Sequence, residues 1–374
     1  MSQPGSSEDG ELFLFRGLIG NSYTKILING IPIQPSTLGG IPLGAQLPVR
    51  QAERIEVVFG PSSALYGADA PAGVINIITK KAEKGVFAHA DIEMGDDGYQ
   101  YMNFMLGGKA GKDSKILNYT IYGSRFNRDH LNIYENHQDV FSPLSYLDIN
   151  NEELEVNYRG INLIPENPRD FTEAYLDNRL AELGASEQDV RAVKSDFFID
   201  NLLNYKDYVN DIPQSSDSWG ADLEYKGLRL SVNSMHRRDY SSLGRSTFLF
   251  SFRFPQIFVG ERITRYSLSY NKKLNNKVSS VTNLSYLRYR QDNNTAFFPI
   301  YKEGDVSYVF AASDDLFGEQ LFSININENI EIVSGASYQY SSNLPRTNEL
   351  DDPFNLKNYK PFQRLIPEGS PLTG

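Results

Sequence analysis

The side chains best suited to metal binding or acid–base work are the four histidines, His89, His130, His137 and His236, and they are dispersed without the short spacing that lets two ligands share one ion. His130 and His137 share one segment, which reads as loop decoration. The acidic pairs Asp96-Asp97, Asp314-Asp315 and Asp351-Asp352 read as turn residues that could attract a cation, but Asp is common in turns because its side chain bonds its own backbone. The glycine-rich segment 60–73 looks like a phosphate cradle, yet it lacks the Gly-Lys-Ser/Thr ending that supplies a cation and a magnesium ligand. Cysteine is absent, which excludes a thiol nucleophile, a disulfide framework and thiolate-bound zinc. A serine hydrolase would need serine, histidine and an orienting partner at one level, and no spacing favours that. These residues point to binding without covalent chemistry, so no enzyme activity, metal or cofactor is expected.

Strands must position whatever binds. Twenty-three Tyr and 22 Phe beside a single Trp suit β structure and bilayer interfaces. A net charge of −11 with few basic runs argues against a nucleic-acid surface. No apolar run approaches the roughly 18 residues of a membrane helix, but a barrel strand needs apolar residues only at alternate positions. Residues 1–10 have neither the basic nor the apolar region of a secretory signal and read as a disordered leader.

The chain has two grammars. Up to about Lys81 it is dense in Gly and Pro, with short apolar strands at 25–28 and 54–59, a turn pair Asn29-Gly30, and an exposed loop at 32–48. From Val86 on, segments of about ten residues alternate with period two, the length a tilted strand needs to cross a bilayer. Val86, Ala88, Ala90, Ile92 and Met94 share one face, with His89, Asp91 and Glu93 on the other. The rule recurs with Met102, Phe104 and Leu106, with Leu117, Tyr119 and Ile121, and with Trp219, Ala221, Leu223 and Tyr225. It continues with Leu228, Leu230 and Val232, and with Tyr266, Leu268 and Tyr270. A seventh segment, 278–290, is ambiguous in phase, and two more follow at Phe322, Ile324 and Ile326 and at 330–340, giving about nine strands.

Connections alternate short and long, as in bacterial outer-membrane barrels with short periplasmic turns and long external loops. The long ones are 127–217, 239–261, 291–314 and 341–374; the hairpin at Asp96-Asp97-Gly98 is short on the outer side. The longest loop should hold two helices, 170–183 and 186–197, the second opened by a capping arrangement at Ser186-Glu187-Gln188-Asp189.

Between the two grammars, residues 53–81 read Glu-Arg-Ile-Glu-Val-Val-Phe-Gly-Pro-Ser-Ser-Ala-Leu-Tyr-Gly-Ala-Asp-Ala-Pro-Ala-Gly-Val-Ile-Asn-Ile-Ile-Thr-Lys-Lys. This closely resembles the end of the plug domain of TonB-dependent outer-membrane receptors. Phe15-Arg16-Gly17 and Ile26-Leu27-Ile28-Asn29-Gly30-Ile31-Pro32 resemble earlier elements of the same plug, with Asn29 where an acidic residue is commoner. The matching positions are Arg54, Glu56, Gly60, Pro61, Tyr66, Gly67, Gly73 and Asn76. The glycines suit tight turns or close approach to a wall.

The resemblance implies a mainly β fold: the C-terminal half of a small α+β plug at 11–84, then the N-terminal part of an antiparallel transmembrane β-barrel at 85–374, incomplete at about nine of 22 strands. It implies a truncated chain, not functional alone, that lacks the N-terminal segment engaging TonB with ExbB/ExbD. In the family's pattern Arg54 and Glu56 would hold the plug to the inner wall, although two charges on a strand are more often a solvated face. The implied function is energy-coupled uptake, across the bacterial outer membrane and in contact with its lipid, of a scarce small molecule or metal chelate such as a ferric siderophore, haem, cobalamin or glycan. Ligand contacts are placed by position at Gln34, Ser36, Thr37, Leu38 and Tyr134. The alternatives are a passive porin-like barrel and a non-transporting surface binding protein.

Overall fold

The structure, a computed structural model, describes residues 14–15, 18–19, 23–38, 44–60, 72–82, 85–111, 116–129, 157–164, 173–197, 213–240, 258–299, 306–328, 330–344, 346–350 and 352–355. Residues 1–10, Pro61, Tyr66, Gly67, His130, Tyr134 and His137, singled out above, lie outside that set.

The first unit is built on a β-sheet. Strands β1 (Leu14–Phe15) and β2 (Leu18–Ile19) form a small hairpin. Strands β3 (Thr24–Ile28), β4 (Ile31–Pro32), β5 (Ala52–Phe59) and β6 (Gly73–Thr79) make a four-stranded sheet in the order β4-β3-β6-β5, with β3 and β6 parallel. The secondary-structure elements given with bounds in this unit are all strands. The β3–β4 turn has Asn29 at φ 56° and Gly30 at φ 82°, the mirror-image hairpin turn that Asn-Gly favours. Asn29 does more than turn the chain: its Oδ1 accepts the Thr79 N–H at 3.1 Å and its Nδ2 donates to Thr79 Oγ1 at 3.1 Å. Asn76 ties the same hairpin to the next strand, accepting the Gly30 N–H at 2.9 Å and donating to Glu56 Oε2 at 3.0 Å.

The second unit is a wall. Strands β7 (Val86–Met94), β8 (Gln100–Ala110) and β9 (Leu117–Arg128) are followed by the hairpin β10 (Asn157–Tyr158) and β11 (Ile161–Asn162) and by helices α1 (Glu173–Glu182) and α2 (Glu187–Phe197). The wall resumes with β12 (Gln214–Tyr225), β13 (Leu228–Tyr240), β14 (Phe258–Lys273), β15 (Val278–Gln291), β16 (Ala296–Pro299), β17 (Val306–Asn327), β18 (Ile330–Ser342) and β19 (Arg346–Leu350). Nine long strands pair antiparallel in the order β7-β8-β9-β12-β13-β14-β15-β17-β18, as the alternation predicts, and the short β16 and β19 pair with the first part of β17. Among the described residues no pairing joins β7 to β18, so the wall is open.

The predicted faces hold. Met102, Phe104 and Leu106 of β8 are exposed on the outer side, while Tyr101, Asn103 and Met105 are buried on the inner side. The ambiguous phase of β15 has a physical cause. Its inner face carries Leu287 and Tyr289, which pack with Ile26, Ile28, Ile33, Leu47 and Ile77 of the first unit and with Met235, Ile263 and Ala311 of the wall. Where the lumen is filled by protein the inner face is apolar too, and the contrast between oil and water disappears from the sequence.

Strands run further into the predicted loops than expected. β17 begins at Val306, so Asp314-Asp315 lies on a strand and not in a turn. β16 also falls inside the predicted loop 291–314, and β19 falls inside 341–374. Where both faces of a strand meet water the ladder can continue after the alternation has stopped.

The long insertion between β9 and β12 has its own core of Tyr158, Leu163, Leu176 and Leu180. The capping arrangement is present: Asp189 N–H donates to Ser186 Oγ at 3.2 Å and Ser186 N–H donates to Asp189 Oδ2 at 3.1 Å. Tyr158 donates to the same carboxylate at 3.0 Å, which links the cap to the hairpin. These bonds, the one from the Ser186 backbone foremost, hold the Asp189 pKa below the usual carboxylate value. The stabilisation is therefore fully present above the unfolded value of about 4 and lost as pH falls through the depressed folded one. Ser186→Ala should cost about 1 kcal/mol of local stability. The expected readout is faster hydrogen exchange in α2, with the wall unchanged; equal protection in both proteins would contradict the capping role.

Candidate functional site

The first unit is held against the inner wall at three levels. Near the short-turn end, Thr79 Oγ1 donates to Asp222 Oδ2 at 3.0 Å and accepts from Arg229 Nη2 at 2.9 Å, Lys81 pairs with Glu224, and Thr120 Oγ1 donates to the Lys80 carbonyl at 3.2 Å. At mid-height Gln51 donates to Asn103, and the Arg265 guanidinium donates to the carbonyls of Ile28, Ile31 and Pro32. Asp315, which register aligns with Arg265, accepts from Ser36 N–H, at 3.1 Å, and Oγ, at 2.6 Å; higher up, Arg50 grips Glu93, with a second bond of 2.7 Å between Nη2 and Oε2.

Magnitudes rank these ties. Arg50 and Glu93 are about two-fifths exposed, and an exposed ion pair is worth about 0–1 kcal/mol. Arg265 is fully buried and spends its charge on backbone carbonyls, where each charge-assisted bond is worth about 1.5–3 kcal/mol. Arg265 is the dominant polar tie.

Arg54 and Glu56, expected as the residues holding plug to wall, sit elsewhere. Arg54 Nε donates to Glu56 Oε1 at 2.9 Å, with Glu53 beside it, and all three are exposed on the edge strand β5. Their partners among the described residues belong to the first unit: the expected alternation is there, but this strand borders no described wall strand. Gly60, at φ 107°, ends β5 in a backbone conformation that favours glycine, and Gly73 opens β6.

The loop expected to meet a ligand is docked. Besides Ser36, Gln34 Nε2 donates to the Leu38 carbonyl at 3.4 Å, and Leu38 packs on the core shared with the wall. Thr37 Oγ1 is buried without a partner among the described residues. These four residues do not line the inner-face cavity at the long-loop ends of the wall.

That cavity, of about 510 Å³, opens between residues 44–50 and the inner face at the long-loop ends of β8, β9, β12 and β13. Tyr99, Tyr101 and Phe126 supply aromatic walls; Arg50, Arg128 and Arg237 supply cations. The Arg50 guanidinium lies 4.3 Å from the Tyr101 ring centroid, and Arg128 lies 5.6 Å from that of Tyr99 and 5.9 Å from that of Phe126. Hydrogen bonding to Glu93 raises the Arg50 pKa against the opposing effect of burial, so it stays charged. Arg237 is buried and neutralised by Glu261, at 2.6 Å, and by Asp239; Tyr289 donates to the same Glu261 at 2.8 Å. The Ser216 hydroxyl, buried on the cavity wall, has no protein partner among the described residues. Such a site can hold an anionic, ring-bearing molecule by stacking and by the guanidinium fork of Arg128; the carboxylate among its described lining residues, Asp239, is paired with Arg237.

Sequence reasoning missed this set. One signal was available: Tyr101 falls on the inner phase of β8, an aromatic where the alternation calls for a polar residue.

Comparison with known proteins places the whole arrangement. Residues 1–74 match the family model described as TonB-dependent Receptor Plug Domain. Residues 1–74 thus carry the plug domain of TonB-dependent receptors, and the strands that follow have the fold of the wall that accompanies such a plug. The vitamin B12 transporter BtuB of Vibrio vulnificus strain YJ016 is 36% identical over 108 residues, 29% of this chain and 17% of BtuB. The iron-regulated outer membrane virulence protein of Vibrio cholerae is 37% identical over 128 residues, 30% of this chain and 19% of that protein. In fold, the chain is similar to the ferric enterobactin receptor PfeA of Pseudomonas aeruginosa, with TM-score 0.53 and 16% identity over 86% of this chain and 42% of PfeA. It is similar also to the ferric yersiniabactin uptake receptor FyuA of Yersinia pestis, with TM-score 0.53 and 12% identity over 90% of this chain and 43% of FyuA. The chain thus spans less than half the length of these relatives.

If Arg265 dominates the docking of the plug, Arg265→Ala should lower the local opening free energy of β3 by about 3 kcal/mol. Amide exchange across Thr24–Ile28 in the folded receptor should then speed up by roughly a hundredfold. Unchanged protection there would remove the role assigned to Arg265.

Proposed function

We propose that this chain is the plug and part of the barrel of an outer-membrane receptor for energy-coupled uptake, with ligand captured in the cavity between residues 44–50 and the upper inner wall. The observation that carries this reading is a plug lodged in the wall with a basic, aromatic cavity left on its long-loop side. A lumen filled this way suits gated import better than passive diffusion, which needs an open channel.

The cargo class follows from the lining. Arg128 has no carboxylate partner among the described residues and stacks on two rings, and the Ser216 hydroxyl is free to bond, so an anionic metal chelate such as a ferric siderophore fits better than a neutral glycan. Haem and cobalamin, which combine ring surface with charge, remain in the same chemical class. Energy would come from the inner membrane through TonB with ExbB/ExbD. The edges of β7 and β18, unpaired among the described residues, would each expose backbone groups to hydrocarbon, so this activity belongs to a closed barrel. No enzymatic step is proposed, since the site presents binding groups alone.

Uptake of radiolabelled ferric chelates and of labelled cobalamin by cells carrying the full-length receptor is the deciding measurement. Transport of whichever probe is taken up should fall to background when TonB is deleted, and undiminished transport would refute active import. Arg128→Ala should weaken binding of that probe about tenfold, the value of one desolvated cation contact.

A further inference from the structure

The outer face of the wall changes chemistry along its strands in a way that plug and cavity do not explain. Strand register places Ile121, Ala221, Val232, Tyr266, Tyr286 and Leu316 side by side in one transverse row, entirely apolar or aromatic. Four residues nearer the long-loop end along each strand, register aligns a second row, Arg125, Asp217, His236, Arg262 and Arg290, across five neighbouring strands. Arg238 and Arg288 flank it on the same outward phase, one pleat above and one below.

This row carries excess positive charge. His236 lies between Asp217, at 3.3 Å, and Asp292, at 3.2 Å; Arg238 reaches Asp292 at 2.7 Å, Arg262 reaches Asp217 at 3.6 Å, and Arg290 reaches Asp314 at 2.7 Å. Five arginines therefore face three aspartates among the described residues of this band. Arg125 and Arg288 are exposed and meet no carboxylate among the described residues. Directly below, toward the membrane centre, a groove of about 1060 Å³ runs over the apolar rows, lined by Ile121, Leu223, Val232, Leu268, Tyr286 and Leu316 among others.

Arginine beside hydrocarbon is costly unless an anion meets it, and its planar fork matches phosphate in two parallel bonds. We propose that this outward row and the groove beneath it form a binding site for a phosphorylated, acylated lipid of the external leaflet, phosphates on Arg125, Arg262, Arg288 and Arg290 and acyl chains in the groove. The proposal commits to a membrane lipid and not to free phosphate, because only a lipid occupies both parts. It rests on the reading of the wall as membrane-spanning.

The test uses full-length receptor in detergent, stripped of lipid, titrated with bisphosphorylated lipid A, with the same lipid after enzymatic removal of its phosphates, and with inorganic phosphate. The phosphorylated lipid should bind at least about tenfold more tightly than the dephosphorylated form, and inorganic phosphate should not match it. Combined Arg125→Gln, Arg262→Gln, Arg288→Gln and Arg290→Gln should erase that preference, and lysine at the same four positions should retain part of it. Equal binding of the two lipids by the unmodified receptor would overturn the proposal whatever the variants do, as would inorganic phosphate binding as tightly as the lipid. Heat-dependent mobility in detergent gels, followed on the same preparation, separates the premise: its absence in the unmodified receptor would remove the membrane reading itself.

Discussion

A backbone N–H or C=O left unpaired away from water costs several kcal/mol, most of all in the hydrocarbon that this wall is proposed to span, and the pairing of the wall answers that constraint. Every strand from β8 to β17 in the nine-strand series is hydrogen-bonded on both sides, in registers that run with few interruptions over their whole length. Continuous pairing fixes the period of two, and the period of two separates the faces. Once the faces are separated, the outer one can be apolar while the inner one is free to carry whatever the lumen requires.

The lumen requires different things at different heights. At mid-level it meets the plug, and the inner face turns apolar at Met235, Ile263, Leu287 and Tyr289 to complete a core begun by Ile26, Ile28 and Ile77. Arg265 is the exception there, a buried cation whose carbonyl partners belong to the Asn29-Gly30 hairpin and its flanks. Nearer the long loops the plug falls short of the wall and the inner face becomes aromatic and charged, which makes the cavity. The site is thus the residual space between two bodies, and its chemistry comes from both.

The family motif has a structural explanation in its polar residues. Asn76 bridges Gly30 and Glu56, and Asn29 bridges the hairpin to Thr79, which in turn reaches Asp222 and Arg229 on the wall. A short relay of side-chain bonds therefore runs from the β3–β4 turn to the barrel. Asn at position 29, where the family more often has an acid, can donate as well as accept, and both capacities are used.

The sequence by itself determined the two-part plan, the number and outer faces of the wall strands, the Asn29-Gly30 turn and the two helices of the long insertion, with the cap of the second. Each of these is written in neighbouring residues, through a period or a turn pair or a cap, and local physics suffices to read them. It did not determine which residues dock the plug, since Arg265 and Ile28 are 237 positions apart and look ordinary until folding brings them together. The same holds for the cavity and for the phase of β15. Tertiary structure decided those, because the polarity of an inner-face residue depends on what fills the lumen beside it, and that neighbour comes from a distant part of the chain.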